Sequence, residues 1–214
     1  MYSYMLKSKY YIALFLLAAF YISGIIGIAT NAQTINFLSL TPLNLFVNLG
    51  LLVLNHENGS NKQVVLFISI IILGFIIEVI GVNTGFIFGR YAYGLTLGWK
   101  ILETPVIIGV NWLILTYAVV YTINIHNKII LTLLSAIVLV LLDFLIEPVA
   151  MAYDFWGWYN NEIPVKNYLA WFAISLLFCY IIAFYKEQSH NRLAPYILFF
   201  QFAFFGIFNF ILWK

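Results

Sequence analysis

Charge is what this chain has least of. Asp, Glu, Lys and Arg make up 8% of its 214 residues, where a soluble domain carries roughly 25%. So few charges cannot cover a surface that faces water on all sides, which excludes a soluble globular fold. The formal net charge of +2 comes from scattered basic residues and leaves no footprint for nucleic acid. Cysteine occurs once, as Cys179 inside an apolar run, which excludes a disulfide or thiolate-metal framework. Also missing are HExxH, a histidine cluster for a di-iron site, GxGxxG after a strand, GxSxG, an Asp-rich diphosphate motif, and a Lys within the last apolar run that could form a Schiff base. With no motif for a metal, flavin or nicotinamide, any chemistry is expected to run without a cofactor or metal, on carboxyls, aromatics and water.

What is present is apolar. Hydrophobic residues reach 64% and aromatic ones 19%. Crossing a hydrocarbon core takes about 20 apolar residues, and seven runs approach that length: Tyr10–Ile28, Ile35–Leu54, Val64–Val82, Pro105–Ile123, Ile129–Glu147, Tyr168–Tyr185 and Pro195–Trp213. None shows the alternation of a barrel strand. The expected fold is all-α: one polytopic helical bundle of about seven transmembrane helices. It would form a single integral membrane domain over 1–214, multi-pass in the cell membrane, with the lipid bilayer as its solvent. The second run holds Thr41, Pro42, Asn44 and Asn48, so it is kinked or starts near Pro42. The first run, preceded by Lys7 and Lys9 and followed by Thr30-Asn31-Ala32, resembles a signal peptide. It is longer than a signal core of 7–15 residues and is read as a retained helix. Pro105 fits a helix start, and Pro148 marks a stop or bend in the fifth helix.

Seven crossings put Lys7, Lys9, Lys62, Lys128, Lys186 and Arg192 on one side and Arg90, Lys100, Lys166 and Lys214 on the other. Six basic residues against four favour a cytoplasmic N-terminus. In either orientation the two longest polar segments, Glu78–Gly94 and Asp143–Tyr168, emerge on the same face and can meet.

These segments carry the chemistry-bearing residues. Glu78 shares a helical stripe with Gly74, Gly81 and Gly85, and small residues there let a neighbour approach closely. Asp143 and Glu147 lie four apart on another stripe, which Ser135 continues. An acidic residue in mid-membrane costs about 2.5–3.5 kcal/mol and usually faces a cavity or a partner. An interfacial aromatic belt accounts for Trp156, Trp158 and Tyr159 taken singly, but not for two carboxyls on one stripe. Asn44, Asn48, Asn111 and Asn209 read as interhelical hydrogen-bonders. His56, His126 and His190 fall in loops on the opposite face and read as solvated.

The segment Thr84-Gly85-Phe86-Ile87-Phe88-Gly89-Arg90-Tyr91-Ala92-Tyr93, preceded by Glu78, resembles the TGxxFGxYxY signature of the membrane carotenoid biosynthesis proteins. That family includes carotenoid end-group hydratases. Gly98, Pro105, Trp112, Glu147-Pro148-Val149-Ala150, Trp156-Gly157-Trp158, Pro164, Asn167 and Trp171 continue the resemblance, which spans Leu73 to Phe172. Two positions depart from the pattern: Glu147-Pro148 stands in place of Asp-Pro, which lengthens the carboxyl by one methylene, and Ala170 stands in place of a Gly.

The resemblance implies hydration of the terminal double bond of an acyclic carotenoid end group, on a lycopene- or γ-carotene-like substrate. The residues suit that chemistry. One carboxyl protonates the alkene, a second handles the water, and aromatic faces stabilise the tertiary cation. Asp143 and Glu147 are the expected acid and water-handling pair, with Glu78 as third candidate. Tyr91, Tyr93, Phe88, Trp112, Trp156, Trp158 and Asn167 are the expected substrate-binding residues. Two alternatives stay open: a lycopene-cyclase-like enzyme, in which the same protonation leads to ring closure, and a non-catalytic carotenoid- or lipid-binding protein or transporter. The sequence leaves the oligomeric state open.

Overall fold

The computed structural model describes residues 2–30, 36–186 and 188–213. Asn31 and Ala32 of the small-residue segment, Ile35 at the start of the second run, and Lys214 lie outside them. Among the described residues seven α-helices follow one another: α1 Tyr2–Ala29, α2 Thr41–Leu54, α3 Asn61–Thr84, α4 Ile107–Thr122, α5 Lys128–Ala152, α6 Val165–Tyr185 and α7 Ala194–Leu212. Five of them contain spans long and apolar enough to cross a membrane, while α2 and α4 are shorter.

The short α4 is the axis of the bundle. It packs against α2, α3, α5, α6 and α7, and nearly every residue from Ile107 to Tyr121 is buried. A helix that is apolar all round belongs in the interior, and one sheathed by neighbours need not span the full hydrocarbon thickness. The outer helices turn large apolar side chains outward, among them Phe15, Val65, Leu141, Phe144 and Phe199. Such an exterior suits lipid.

Local signals set the helix ends. Ser60 accepts from the Gln63 N–H while the Gln63 side chain accepts from the Ser60 N–H, a reciprocal cap at the start of α3. Asn127 accepts from the N–H groups of Ile129 and Ile130 to start α5. A 3-10 turn at Leu38–Leu40 leads into α2, with Pro42 in its first turn. Two expectations are corrected. Pro105 lies in a short strand two residues before α4 rather than at the helix start. Of the two readings of Pro148, a stop is corrected, because the proline lies inside α5, which continues to Ala152. Proline removes one intrahelical donor, and nearby the Asn209 side chain on α7 donates to the Leu145 carbonyl at 2.6 Å.

The two polar segments meet, as their common face requires. β1 (Tyr91–Tyr93) pairs antiparallel with β2 (Trp156–Trp158). Around this ladder, Gly94 N–H donates to the Phe155 carbonyl at 3.0 Å and Tyr159 N–H to the Arg90 carbonyl at 3.1 Å.

Candidate active site

The β1–β2 register explains the aromatic spacing. Tyr91 pairs with Trp158, Ala92 with Gly157 and Tyr93 with Trp156. Strand side chains alternate between faces, so four aromatic rings share one face, turned toward the bundle, while Ala92 and Gly157 are exposed. Glycines permit this close docking. Gly85 ends α3 in the left-handed region at φ 65°. A Cβ on Gly81 would lie 2.6 Å from the Phe88 ring, and one on Gly94 would lie 2.1 Å from the Asp154 carbonyl oxygen.

Beneath the ladder lie the three acids, all buried. Glu78 Oε2 accepts from the Tyr91 and Tyr93 hydroxyls at 2.6 and 2.7 Å, and its Oε1 accepts from Trp112 Nε1 at 2.9 Å. Glu147 Oε2 accepts from Trp158 Nε1 at 2.6 Å and from Trp156 Nε1 at 3.1 Å. Asn167 Nδ2, on α6, donates both to Asp143 Oδ2 at 2.8 Å and to Glu147 Oε1 at 3.0 Å. Asp143 Oδ1 has no partner among the described residues. No Lys, Arg or His among them forms an ion pair with any of the three acids. The acids are held by hydroxyl, indole and amide donors. Glu78 presses on the Tyr91 and Tyr93 hydroxyls, which burial and that carboxylate hold well above the ordinary phenol range, so both stay protonated donors.

A cavity of about 20 Å³ lies between Glu78 and Glu147. One water needs roughly 10–15 Å³ measured this way, so the space admits a single water-sized group. Phe88, Tyr91, Tyr93, Trp112, Trp156, Trp158 and Asn167 line it with the two glutamates. Asp143 does not line it and reaches Glu147 through Asn167. A second cavity, of about 70 Å³, shares the walls Ile108, Asn111 and Trp156 with the first.

Sequence reasoning named most of this lining and missed three members, Ile108, Asn111 and Trp171. Trp171 stacks at a tilt on Trp112, with ring centroids 4.4 Å apart. Among the described residues Asn111 makes no interhelical hydrogen bond and the Asn44 side chain bonds only to Asn48 within α2, both contrary to expectation. A polar residue in a helix otherwise apolar all round was the signal for Asn111. By contrast, Asn209 does bond across helices, as above, and Asn48 accepts from Tyr21 on α1 at 3.4 Å.

His126 and His190 are exposed as expected, but His56 is not simply solvated. Its Nδ1 lies 2.7 Å from the Tyr117 hydroxyl and its Nε2 lies 3.2 Å from Gln63 Oε1. Gln63 lies in the first turn of α3, which this loop leads into, whereas Tyr117 comes from α4, which the sequence does not place beside the loop. Among the described residues no three His, Cys, Asp or Glu side chains are placed to share a metal ion.

Residues 37–214 match the model of the family described as carotenoid biosynthesis protein. No curated protein and no solved structure matches. The family match covers most of the chain, and the chain belongs to that family.

Proposed function

We propose that this carotenoid biosynthesis protein hydrates the terminal C=C of an acyclic carotenoid end group, giving a tertiary alcohol by acid/base chemistry. The observation that carries this reading is the placement of Glu78 and Glu147 on one water-sized cavity beneath four aromatic rings. Glu147, backed by Asp143 through Asn167, supplies a proton to the less substituted alkene carbon. The π bond breaks, a C–H bond forms, and the neighbouring carbon becomes a tertiary cation. The rings of Tyr91, Tyr93, Trp156 and Trp158 face that charge and stabilise it. Glu78, fixed by three donors, orients the water and takes its proton as the C–O bond forms. Net uptake is one water, and the proton returns to Glu147 before the next turnover. A neutral carboxylic acid is a weak acid for an alkene, so most of the barrier reduction must come from fixed dipoles in a dry site.

The substrate class is a lycopene- or γ-carotene-like polyene entering from the lipid bilayer. The whole chain acts as one membrane-embedded unit in the cell membrane. Its N-terminus is in the cytoplasm, which puts the acid site near the opposite face.

Co-expression with a pathway that makes lycopene or γ-carotene tests the reading. A product heavier by one water is expected. An isomer of unchanged mass would replace hydration with cyclisation. Unaltered carotenoid that co-purifies with the protein would make this a binding protein.

A further inference from the structure

Hydration consumes water at a site walled by apolar helices, and the ladder of β1 and β2 covers that site. The second cavity has the composition of a supply route. At one end it meets Thr41 and Asn44 in the first turns of α2 and Leu97 in the loop after β1, near the face where the polar segments emerge. At its shared wall it meets Asn111 and Trp156, which also line the acid site. Deeper, it is bounded by Gln201 of α7.

Gln201 is the telling residue. Its side chain is 6% exposed and makes no hydrogen bond among the described residues. Asn111 also lacks a partner there. Gln201 is buried and Asn111 half-buried, and two amides that line one cavity without protein partners are costly to leave dry. A polyene offers them nothing, because it has neither donors nor acceptors. Water offers both, and buried waters typically make about three hydrogen bonds to otherwise unsatisfied groups. A volume of about 70 Å³ admits about two waters at roughly 30 Å³ each.

We propose that this cavity is a water-holding passage, in which Gln201 and Asn111 bind a short chain of waters and Asn111 hands one to the acid site. The passage rests on the hydratase reading for its purpose but not for its existence, so the two are tested separately. Water in the passage is read by cysteine accessibility. In a Cys179→Ala background, Gln201→Cys and Asn111→Cys are treated in native membranes with a small cationic methanethiosulfonate, which reacts with the hydrated thiolate. Phe199→Cys, on the lipid-facing side of α7, serves as the dry control. Labelling at 201 and 111 at least about tenfold faster than at 199 is expected, since an unhydrated thiol does not ionise. Labelling no faster than at 199 overturns the passage, whatever the activity.

Use of the passage is read in liposomes made up in D2O with an acyclic carotenoid. Deuterium entering recovered hydrocarbon reports protonation, and alcohol reports water capture. Gln201 does not line the acid site, and Gln201→Leu is expected to keep deuterium incorporation while lowering the alcohol-to-deuterium ratio about tenfold, with Gln201→Asn restoring it. An unchanged ratio in Gln201→Leu overturns the role of the passage in delivery. Labelled cysteines in a protein that never makes alcohol would leave the passage standing and remove the hydratase reading.

Discussion

Tyr93 and Trp156 face each other across the β1–β2 ladder, ring centroids 6.0 Å apart, and each donates to a different glutamate. The Tyr93 hydroxyl reaches Glu78 on α3 and the Trp156 indole reaches Glu147 on α5. One strand pair therefore fixes the spacing of two acids that sit on separate helices. The ladder covers the site and supplies four of its donors, with Trp112 of α4 and Asn167 of α6 supplying the others.

If the ladder sets the site, loosening it must lower activity without touching a carboxyl. A methyl group on Gly94 would lie 2.1 Å from the Asp154 carbonyl oxygen, a backbone atom that cannot swing aside. Gly94→Ala is expected to destabilise the protein by about 1–3 kcal/mol and to reduce product. Gly157→Ala, whose Cβ would meet nothing within 4 Å, is expected to be silent in both assays. Equal loss in the two variants would separate the ladder from function.

Much of this was legible in the sequence, for identifiable reasons. Apolar run length located all seven helices, because hydrocarbon thickness imposes it. Four-residue spacing put Asp143 and Glu147 on one stripe, and the even number of helices between the polar segments, α4 and α5, put those segments on one face. The shared Asn167 donor was out of reach, since it depends on how α6 meets α5. So was the placement of the acids: stripe spacing pairs Asp143 with Glu147, whereas the cavity brings Glu147 beside Glu78. Gln201 and Asn111 were visible as polar residues in apolar helices. Their lack of partners appears only once every neighbour is placed.

Asn167 bridges Asp143 and Glu147 through one nitrogen, so removing it strips a donor from two buried carboxyls at once. Asn167→Leu is expected to cost about 1–3 kcal/mol, measured by thermal unfolding in detergent. Because the residues act together, the double variant Asp143→Leu/Asn167→Leu should lose less than the sum of the single losses. Strict additivity would show that Asn167 does not couple to Asp143.

On the opposite face, burial holds the His56 imidazole below its ordinary value of 6.5, with nearby His190 adding to the effect and the Gln63 hydrogen bond opposing it. A depressed folded-state value means that the unfolded chain binds the proton more readily. The contribution of His56 is then fully present above about 6.5 and is lost as pH falls below it. Its ring nitrogens face the Tyr117 hydroxyl and Gln63, so a second ring proton would confront the hydroxyl proton of Tyr117. Melting temperature should drop more steeply between pH 7.5 and 5.5 in the unaltered protein than in His56→Gln. Parallel slopes would show that another group controls acid stability.

The acids themselves give the most direct prediction. Glu147→Gln and Glu78→Gln keep the size of each side chain but can no longer exchange a proton, so each is expected to lower the hydration rate by about 10²–10⁴-fold. Asp143→Asn should have a smaller effect, because Asp143 does not line the cavity and acts on Glu147 only through Asn167. Each amide also sets an NH2 group against a donor that the carboxyl oxygen had accepted, so insertion should hold and melting temperature fall modestly while product is nearly lost. A purely structural role predicts the same stability with activity kept, which makes product formation the deciding measurement. Glu147→Asp gives the finer test. It keeps a carboxyl but shortens it by one methylene, drawing it back from the Trp156 and Trp158 indoles. Partial activity there, against near-total loss in Glu147→Gln, fits an acid whose reach matters. Full activity in Glu147→Gln, with loss in Asp143→Asn, would move the proton donor one helical turn deeper and leave Glu147 as its hydrogen-bonded support.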